Sequence, residues 1–117
     1  MKMVEAIILP QNLEAVKAAL GEVEVFRMTV SEAQGFGQSR DHDARRPDAD
    51  FTVSTLRKLK IEIAVNDDFV EATVRAIIRA GGGNQTTDAA TGGGKVFILP
   101  LDDVVRIRTG ERGPEAV

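Results

Sequence analysis

The chain contains no cysteine, which excludes disulfides, thiolate catalysis and thiolate metal sites. Its single histidine, His42, leaves no second imidazole to complete a typical zinc site, and no Ser/His/Asp arrangement has supporting spacing. No apolar run approaches the roughly 20 residues that a membrane-spanning helix needs. All five aromatic residues are phenylalanine, so the chain carries no phenolic hydroxyl. We therefore expect a soluble cytoplasmic protein without a catalytic or metal site of these kinds.

Length and charge narrow the class of protein further. A chain of 117 residues is expected to form one domain, 1–117, around a single core. It carries 15 Lys and Arg against 18 Asp and Glu, and this slight excess of negative charge disfavours a general nucleic-acid-binding protein. The first ten residues hold Glu5 within an apolar stretch and show no small-residue cleavage site. This pattern is typical of a first strand and not of a signal peptide.

Apolar spacing predicts the element order β-α-β twice along the chain. The predicted elements are strands at 3–9, 23–37, 51–65 and 95–99, helices from Asn12 to Gly21 and from Asn66 to Gly81, and a candidate short strand at 104–107. This order predicts an α+β, ferredoxin-like (βαβ-βαβ) fold, with an antiparallel sheet and two helices on one face. Because the other face of the sheet then needs cover, we expect the chain to oligomerise.

Two polar segments do not fit the core. Residues 38–50 (QSRDHDARRPDAD) are rich in Arg and Asp, cannot bury apolar surface, and are predicted to form a mobile loop. Residues 81–94 hold six of the eleven glycines and are bracketed by them. Long polar loops in a compact domain are usually functional or disordered.

The candidate anion-binding residues lie after the glycine-rich segment. Three glycines precede Lys95, so backbone N–H groups and one charge are available to an anion, although a plain flexible connection is an equally good interpretation. Along an extended segment, alternation would place Arg106 and Arg108 on the same side, where two guanidinium groups suit polyphosphate. The alternative for this segment is an exposed strand that forms ion pairs with Asp102 and Asp103.

These segments together resemble the PII nitrogen-regulatory signalling proteins over nearly the whole chain. The matching segments are EAII at 5–8, MTVSEAQGFG at 28–37, KLKIEIAV at 58–65, KVFILP at 95–100 and RIRTGERG at 106–113. The resemblance implies a homotrimer of ferredoxin-like subunits without enzyme activity. It also implies competitive binding of ATP or ADP in the clefts between subunits, binding of 2-oxoglutarate with Mg-ATP in many members, and docking of a long loop onto a regulated target protein.

Carried over residue by residue, the resemblance predicts the nucleotide-binding residues. These are Thr29, Gly35, Gly37, Gly94, Lys95, Arg106 and Arg108. The loop at 38–50 would be the effector loop, the glycine-rich segment 81–94 the nucleotide loop, and 106–117 the C-terminal segment. The glycine-rich segment at 81–94 is longer than is usual in the family and lacks the family's usual pattern, so AMP is a further candidate ligand.

Two positions depart from the family in ways that change the expected ligands and the expected modification. Lys58 matches the lysine that pairs with a 2-oxoglutarate carboxylate, but Ser39 replaces the glutamine that helps to hold metal and 2-oxoglutarate. The adjacent Gln38 could compensate only through a one-residue slip of the strand, so we expect weak or no 2-oxoglutarate binding. Phe51 stands where many bacterial members carry the tyrosine that is uridylylated, and we expect no such modification.

The function expected from these observations is adenine-nucleotide sensing with control of a partner protein. The partner would be an ammonium channel, and thus a membrane transporter, or an enzyme or regulator of nitrogen metabolism. A divergent regulator of another transport task, such as that of inorganic carbon or a metal, is the alternative. A third interpretation is a metal-binding trimer that uses His42 and the loop aspartates as ligands.

Overall fold

The computed structural model describes residues 1–39, 52–82 and 94–117. In chain order the strands and α-helices are β1 (Lys2–Ile8), α1 (Leu13–Glu22), β2 (Thr29–Ser39), β3 (Thr52–Val65), α2 (Val70–Ala80) and β4 (Val96–Pro100). Short 3-10 turns precede both helices and close the chain at Gly113–Ala116. The predicted order β-α-β, β-α-β is confirmed.

The four strands form one antiparallel sheet in the order β2-β3-β1-β4. The central pair keeps a continuous register in which Val4 lies opposite Ile63 and Ile8 lies opposite Leu59. Neighbouring strands that are not consecutive in sequence give the crossover arrangement of a ferredoxin-like fold. The predicted fold class is therefore confirmed.

The hydrophobic core lies between one face of the sheet and the two helices. Alternate residues of the central strands face it and are almost fully buried, among them Val4, Ile61 and Ile63. Val16 and Leu20 of α1 pack onto this face with Ile77 of α2, as the helical spacing predicted. Because side chains alternate across a strand, the residues between them lie on the opposite face.

On that opposite face, which we call the open face, charged and apolar side chains are both present. The ammonium group of Lys60 lies 3.9 Å from a carboxylate oxygen of Glu5 and 3.7 Å from one of Glu62. On the edge strand β4, Phe97 and Leu99 are 45% and 42% exposed. No helix among the described residues covers this face, so these apolar side chains remain available to a partner.

The second strand begins six residues later than predicted, because the preceding segment caps α1. The N–H of Val25 donates to the carbonyl of Leu20 at 2.9 Å, and the N–H of Glu24 donates to that of Gly21 at 3.1 Å. This pair of bonds is the Schellman motif, which requires a left-handed residue at its centre. Here that residue is Glu24, with φ of 63°, in a position that usually holds glycine.

Two polar side chains near the starts of the helices bind groups that are distant in sequence. The Nδ2 of Asn12 donates to the carbonyl of Gly81 at 3.3 Å and thereby links the start of α1 to the end of α2, instead of capping its own helix. Asp67 binds the amino group of Met1 at 2.8 Å, and this hydrogen bond holds the pKa of its carboxyl below the ordinary value. Both side chains tie segments distant in sequence, which local spacing does not indicate.

Two predicted boundaries at the sheet ends are also wrong. Gln38 and Ser39 belong to β2 and pair with Val53 and Thr52, so the predicted loop at 38–50 begins later and its remainder lies outside the described residues. Residues 104–107 do not form a strand; the segment makes one isolated bridge, between Val105 and Arg112.

Within the described ranges, no helix combines the length and apolarity needed to cross a membrane.

Candidate functional site

Gly94 and Lys95 lie where β4 leaves the glycine-rich segment and joins β1. The N–H of Ile7 donates to the carbonyl of Lys95 at 2.9 Å, which extends the ladder by one residue beyond β4. A Cβ atom on Gly94 would lie 1.4 Å from the carbonyl oxygen of Ile7, so only glycine allows this approach. The pairing of this segment with β1 therefore requires glycine at position 94, whether or not its N–H also binds an anion.

A cleft of about 150 Å³, which we call the isoleucine slot, opens beside Lys95. Its apolar walls are Ile7, Ile8, Ile77, Ile78 and Val96. Glycines at 81, 82 and 94 complete it, so part of its wall is bare backbone. Lys95 is exposed and is the one charged group that lines the slot among the residues that the structure describes.

Gly35 and Lys58 are brought together by the pairing of β2 with β3. Lys58 lies opposite Ala33, and its methylene stem runs past Gly35. A Cβ atom on Gly35 would lie 3.5 Å from Cγ of Lys58, which is ordinary van der Waals contact. The fold therefore does not require glycine at position 35. Lys58 is buried, with 9% of its surface exposed, and its stem covers the sheet beside the glycine.

Arg106 and Arg108 do not lie on an extended segment, so that part of the sequence prediction is wrong. The N–H of Gly110 donates to the carbonyl of Arg106 at 2.8 Å, and the chain reverses in the turn at 107–109. Gly110 has φ of 73°, a left-handed conformation that glycine adopts without strain. We call residues 105–112 the C-terminal hairpin.

The two arginines of this hairpin have different surroundings. Arg106 is half-buried: its Nε donates to the carbonyl of Ala116 at 3.2 Å, and its guanidinium lies 3.3 Å from a carboxylate oxygen of Glu111. Arg108 is exposed and forms no hydrogen bond or ion pair with the described residues. Arg108 is thus the cation of the pair that is free to meet a ligand without first breaking contacts.

Asp103 fastens the base of the hairpin, a role that sequence spacing did not assign. Its carboxylate accepts from the guanidinium of Arg112 at 2.6 Å, from the N–H of Val104 at 2.8 Å and from the N–H of Gly113 at 3.0 Å. The hydrogen bond from Arg112, more than any other contact, lowers the pKa of the Asp103 carboxyl. The predicted ion pair of Asp103 with Arg106 or Arg108 is replaced by one with Arg112.

The predicted nucleotide-binding residues do not form one cluster in a single chain. Thr29 and Gly37 are eight residues apart in β2, or roughly 26 Å at about 3.3 Å per residue. The amide of Asn66 holds the carbonyl of Pro114 at 3.2 Å, so the C-terminal segment lies beside the end of β3 and the start of β1. Lys95 lies beside Ile7, at the other end of β1, about 20 Å along the strand.

A second cleft, of about 220 Å³, lies at the Thr29 end of the sheet, and none of the predicted residues lines it. Phe26 and Phe69 line it with Arg27 and Asn66. The Oδ1 atom of Asn66 is buried there and accepts no hydrogen bond from the described residues. Sequence reasoning missed this cleft, because its residues come from three segments that are distant in sequence: 24–27, 64–69 and Val117.

The remaining predictions concern residues at the loop ends. The ladder from Thr29 to Ser39 is unbroken, so the one-residue slip that would move Gln38 into the position of Ser39 does not occur. Phe51 and His42 lie outside the described residues, and so does most of the glycine-rich segment. Among the described residues, no group of three His, Cys, Asp or Glu side chains is placed to hold a metal.

Comparison with known proteins decides the family. The sequence model of the family described as "Nitrogen regulatory protein P-II" matches residues 1–111. The chain belongs to the P-II family. Nitrogen regulatory protein GlnK1 of Methanosarcina mazei is 45% identical over all 117 residues of this chain and 97% of its own length. The P-II proteins of Azospirillum brasilense and Microchaete diplosiphon are 43% and 46% identical, with both chains covered completely.

The family gives this P-II protein a general role. Its relatives are named as nitrogen regulatory proteins, so a role in signal transduction that regulates nitrogen metabolism is supported. Regulators of the P-II family act on partner proteins. The resemblance inferred from RIRTGERG and the segment at 28–37 is confirmed.

Proposed function

We propose that this P-II protein binds adenine nucleotides between copies of the chain and thereby controls a partner protein, without enzyme activity of its own. The observation that carries the proposal is the separation of the predicted residues into two sets at opposite ends of β1. Gly94 and Lys95 form one set, and Arg106 and Arg108 form the other. One nucleotide can contact both sets only if each is supplied by a different copy.

The charges of the two sets support the same proposal. Neither the side chain of Lys95 nor that of Arg108 has a hydrogen-bond or ion-pair partner among the described residues. A guanidinium and an ammonium brought together from two copies would repel each other unless an anion lay between them. The phosphates of ADP or ATP supply that anion, and the arginine fork suits their oxygens.

Titration calorimetry with ATP, ADP and AMP, with and without Mg²⁺, tests the nucleotide site. Arg108→Ala should weaken ADP binding by about tenfold or more, because a charge-assisted hydrogen bond is worth ~1.5–3 kcal/mol. Arg106→Ala should have a smaller effect, since Arg106 already binds Ala116 and Glu111. Arg27→Ala removes a cation outside the predicted set and serves as the matched control. Unchanged ADP affinity in folded Arg106→Ala/Arg108→Ala would overturn the proposal.

We further propose that three copies assemble through the open face of the sheet. Exposed Phe97 and Leu99 lie there, next to the Glu5–Lys60–Glu62 charge cluster. Exposed apolar side chains of this kind gain stability when a second copy covers them. Sedimentation equilibrium at micromolar concentration should give about three times 12.6 kDa, and a mass near 12.6 kDa would refute the trimer.

The regulated partner is proposed to be an ammonium channel or an enzyme or regulator of nitrogen metabolism, contacted by the segment at 38–50. The family membership supports this proposal, because P-II regulators act on partner proteins. Co-sedimentation with membranes that contain a purified ammonium channel, in the presence of ATP or of ADP, tests it. A variant in which residues 41–49 are replaced by a short glycine-serine linker should lose co-sedimentation but keep nucleotide affinity.

A further inference from the structure

Ile107 is the most exposed apolar side chain among the described residues, and it stands at the tip of the C-terminal hairpin. Its side chain is fully exposed, and Arg106 and Arg108 flank it. The ion pair between Asp103 and Arg112 holds the base of the hairpin in place and so limits the movement of its tip. Scattered exposed apolar residues are normal, but this one lies between the two cations of the proposed nucleotide site.

The isoleucine slot is an apolar recess of matching chemistry, and it lies at the opposite end of β1 from the C-terminal hairpin. It is walled by aliphatic side chains and bare glycine backbone, and its rim carries Lys95. Ile78 at its edge is 45% exposed. Since β1 separates the slot from the C-terminal hairpin by about 20 Å, a hairpin cannot fill the slot of its own chain.

We propose that Ile107 of one copy seats in the isoleucine slot of the next copy and positions Arg108 across the nucleotide phosphates from Lys95. The proposal rests on the nucleotide function proposed above and names the contact that completes that site. Ile107 is a positioning residue, because it acts on the ligand through the placement of Arg108. The contact joins two different surfaces of the chain, and such head-to-tail contacts close into rings.

The second cleft, at Phe26 and Phe69, is the competing seat for Ile107, but a contact there would not complete the proposed nucleotide site. That cleft lies at the same end of the sheet as the hairpin, so its use would pair like ends of two copies. Such a contact would leave Lys95 without an arginine from the neighbouring copy. Seating in the isoleucine slot instead brings both cations to one place.

Seating and nucleotide binding should therefore reinforce each other. Without an anion, the approach of Arg108 to Lys95 is opposed by repulsion between like charges. A bound nucleotide removes that opposition, and by linkage the seated hairpin raises nucleotide affinity to the same degree. Ile107 thus couples the contact between copies to nucleotide occupancy.

Cross-linking tests the seat directly, because the chain has no cysteine of its own. In the variant Ile78→Cys/Ile107→Cys, a short bis-maleimide should give covalent dimers and trimers on a denaturing gel, with higher yield when ADP is present. Each single variant should give little product. Product from Ile107→Cys alone, or a higher yield from Phe69→Cys/Ile107→Cys, would overturn the proposal in favour of a contact between like ends. Absence of product in folded Ile78→Cys/Ile107→Cys would overturn it as well.

Nucleotide affinity gives a second measurement that does not depend on cross-linking. Ile107→Ser should weaken ADP binding by about tenfold while Arg106 and Arg108 are retained, and Ile107→Leu should restore most of the affinity. Phe26→Ser, which removes an exposed apolar side chain outside the slot, is the control and should change ADP affinity little. If the wild type binds no ADP, the proposed nucleotide function fails, and the cross-linking result still decides where the hairpin lies. If the wild type binds ADP and Ile107→Ser binds it equally, the inference about Ile107 fails alone.

Discussion

The backbone of Gly94 lies so close to Ile7 that a Cβ atom at position 94 would be 1.4 Å from the Ile7 carbonyl oxygen. This contact joins β4 to β1 at the point where the glycine-rich segment ends. At Gly35 the nearest atom to an added Cβ is 3.5 Å away, on the flexible stem of Lys58. Of these two glycines, which are predicted to contact the same ligand, the fold therefore requires Gly94 but not Gly35.

Gly94→Ala should destabilise the protein by about 2 kcal/mol or more, because the clash is with backbone that cannot rotate away. Gly35→Ala should change the free energy of unfolding by less than about 1 kcal/mol, since glycine is not required there. Urea unfolding at matched protein concentration measures both. Equal stability of Gly94→Ala and wild type would show that β1 and β4 do not pair as described.

Glu24→Gly should stabilise the protein by up to about 1 kcal/mol. Glu24 holds the left-handed position of the Schellman motif with φ of 63°, where a side chain costs energy and glycine does not. Ala18→Gly, at an exposed position inside α1, is the matched control and should destabilise by ~1 kcal/mol. Urea midpoints that move in the same direction for both variants would contradict the assignment of a strained cap.

The C-terminal hairpin should loosen in acid through Asp103. Its hydrogen bond from Arg112 lowers the pKa of the carboxyl in the folded chain below the ordinary 3.8. The resulting stability is present above pH 3.8 and is lost as the pH falls through the lowered folded value, where the carboxyl becomes protonated. The protection factor of the Gly113 amide, which is the ratio of its intrinsic to its observed hydrogen-exchange rate, should therefore fall in acid.

Asp103→Asn provides the control for that pH dependence. At pH 7 its Gly113 amide should exchange faster than that of the wild type, because the charged acceptor for Arg112 is gone. As the pH falls, the two proteins should converge. A constant difference between them down to the lowest pH at which both stay folded would contradict the assignment.

Ser39→Gln should create or strengthen Mg-ATP-dependent binding of 2-oxoglutarate. The family resemblance places a glutamine at this position among the groups that hold metal and 2-oxoglutarate, and oxygen ligands are those that Mg²⁺ requires. Lys58, near Gly35, is retained as the partner for a carboxylate. Calorimetry should show weak or no binding to the wild type and measurable binding to Ser39→Gln. Gln38→Ala should leave the wild-type result unchanged, and tight binding to the wild type would refute the prediction.

Local spacing was sufficient for the elements and their order. Alternation placed Ile61 and Ile63 on a strand face, and helical spacing placed Val16 and Leu20 on one stripe; all four are buried. These patterns are dictated by periods of 2 and 3.6 residues, which are properties of the backbone alone. The family signature RIRTGERG is likewise visible in the sequence without a structure.

The tertiary structure alone decided the segments whose conformation depends on distant partners. The alternation of Arg106 with Arg108 predicts an extended segment, but Asp103 binds Arg112 and Gly113, and the chain turns at 107–109. Val23 to Met28 looks strand-like in composition, yet its first residues close the end of α1.

The sequence by itself determined the ferredoxin-like order of elements, the family and the identity of the candidate ligand-binding residues. Only the tertiary structure showed that Lys95 and Arg108 lie at opposite ends of β1, that Arg106 is already paired, and that Gly94 serves the packing of β1 against β4. The physical reason is that periodicity records which face of an element is buried. Ion pairs, close backbone approach and the distance between two ends of a sheet depend on contacts between residues far apart in the chain.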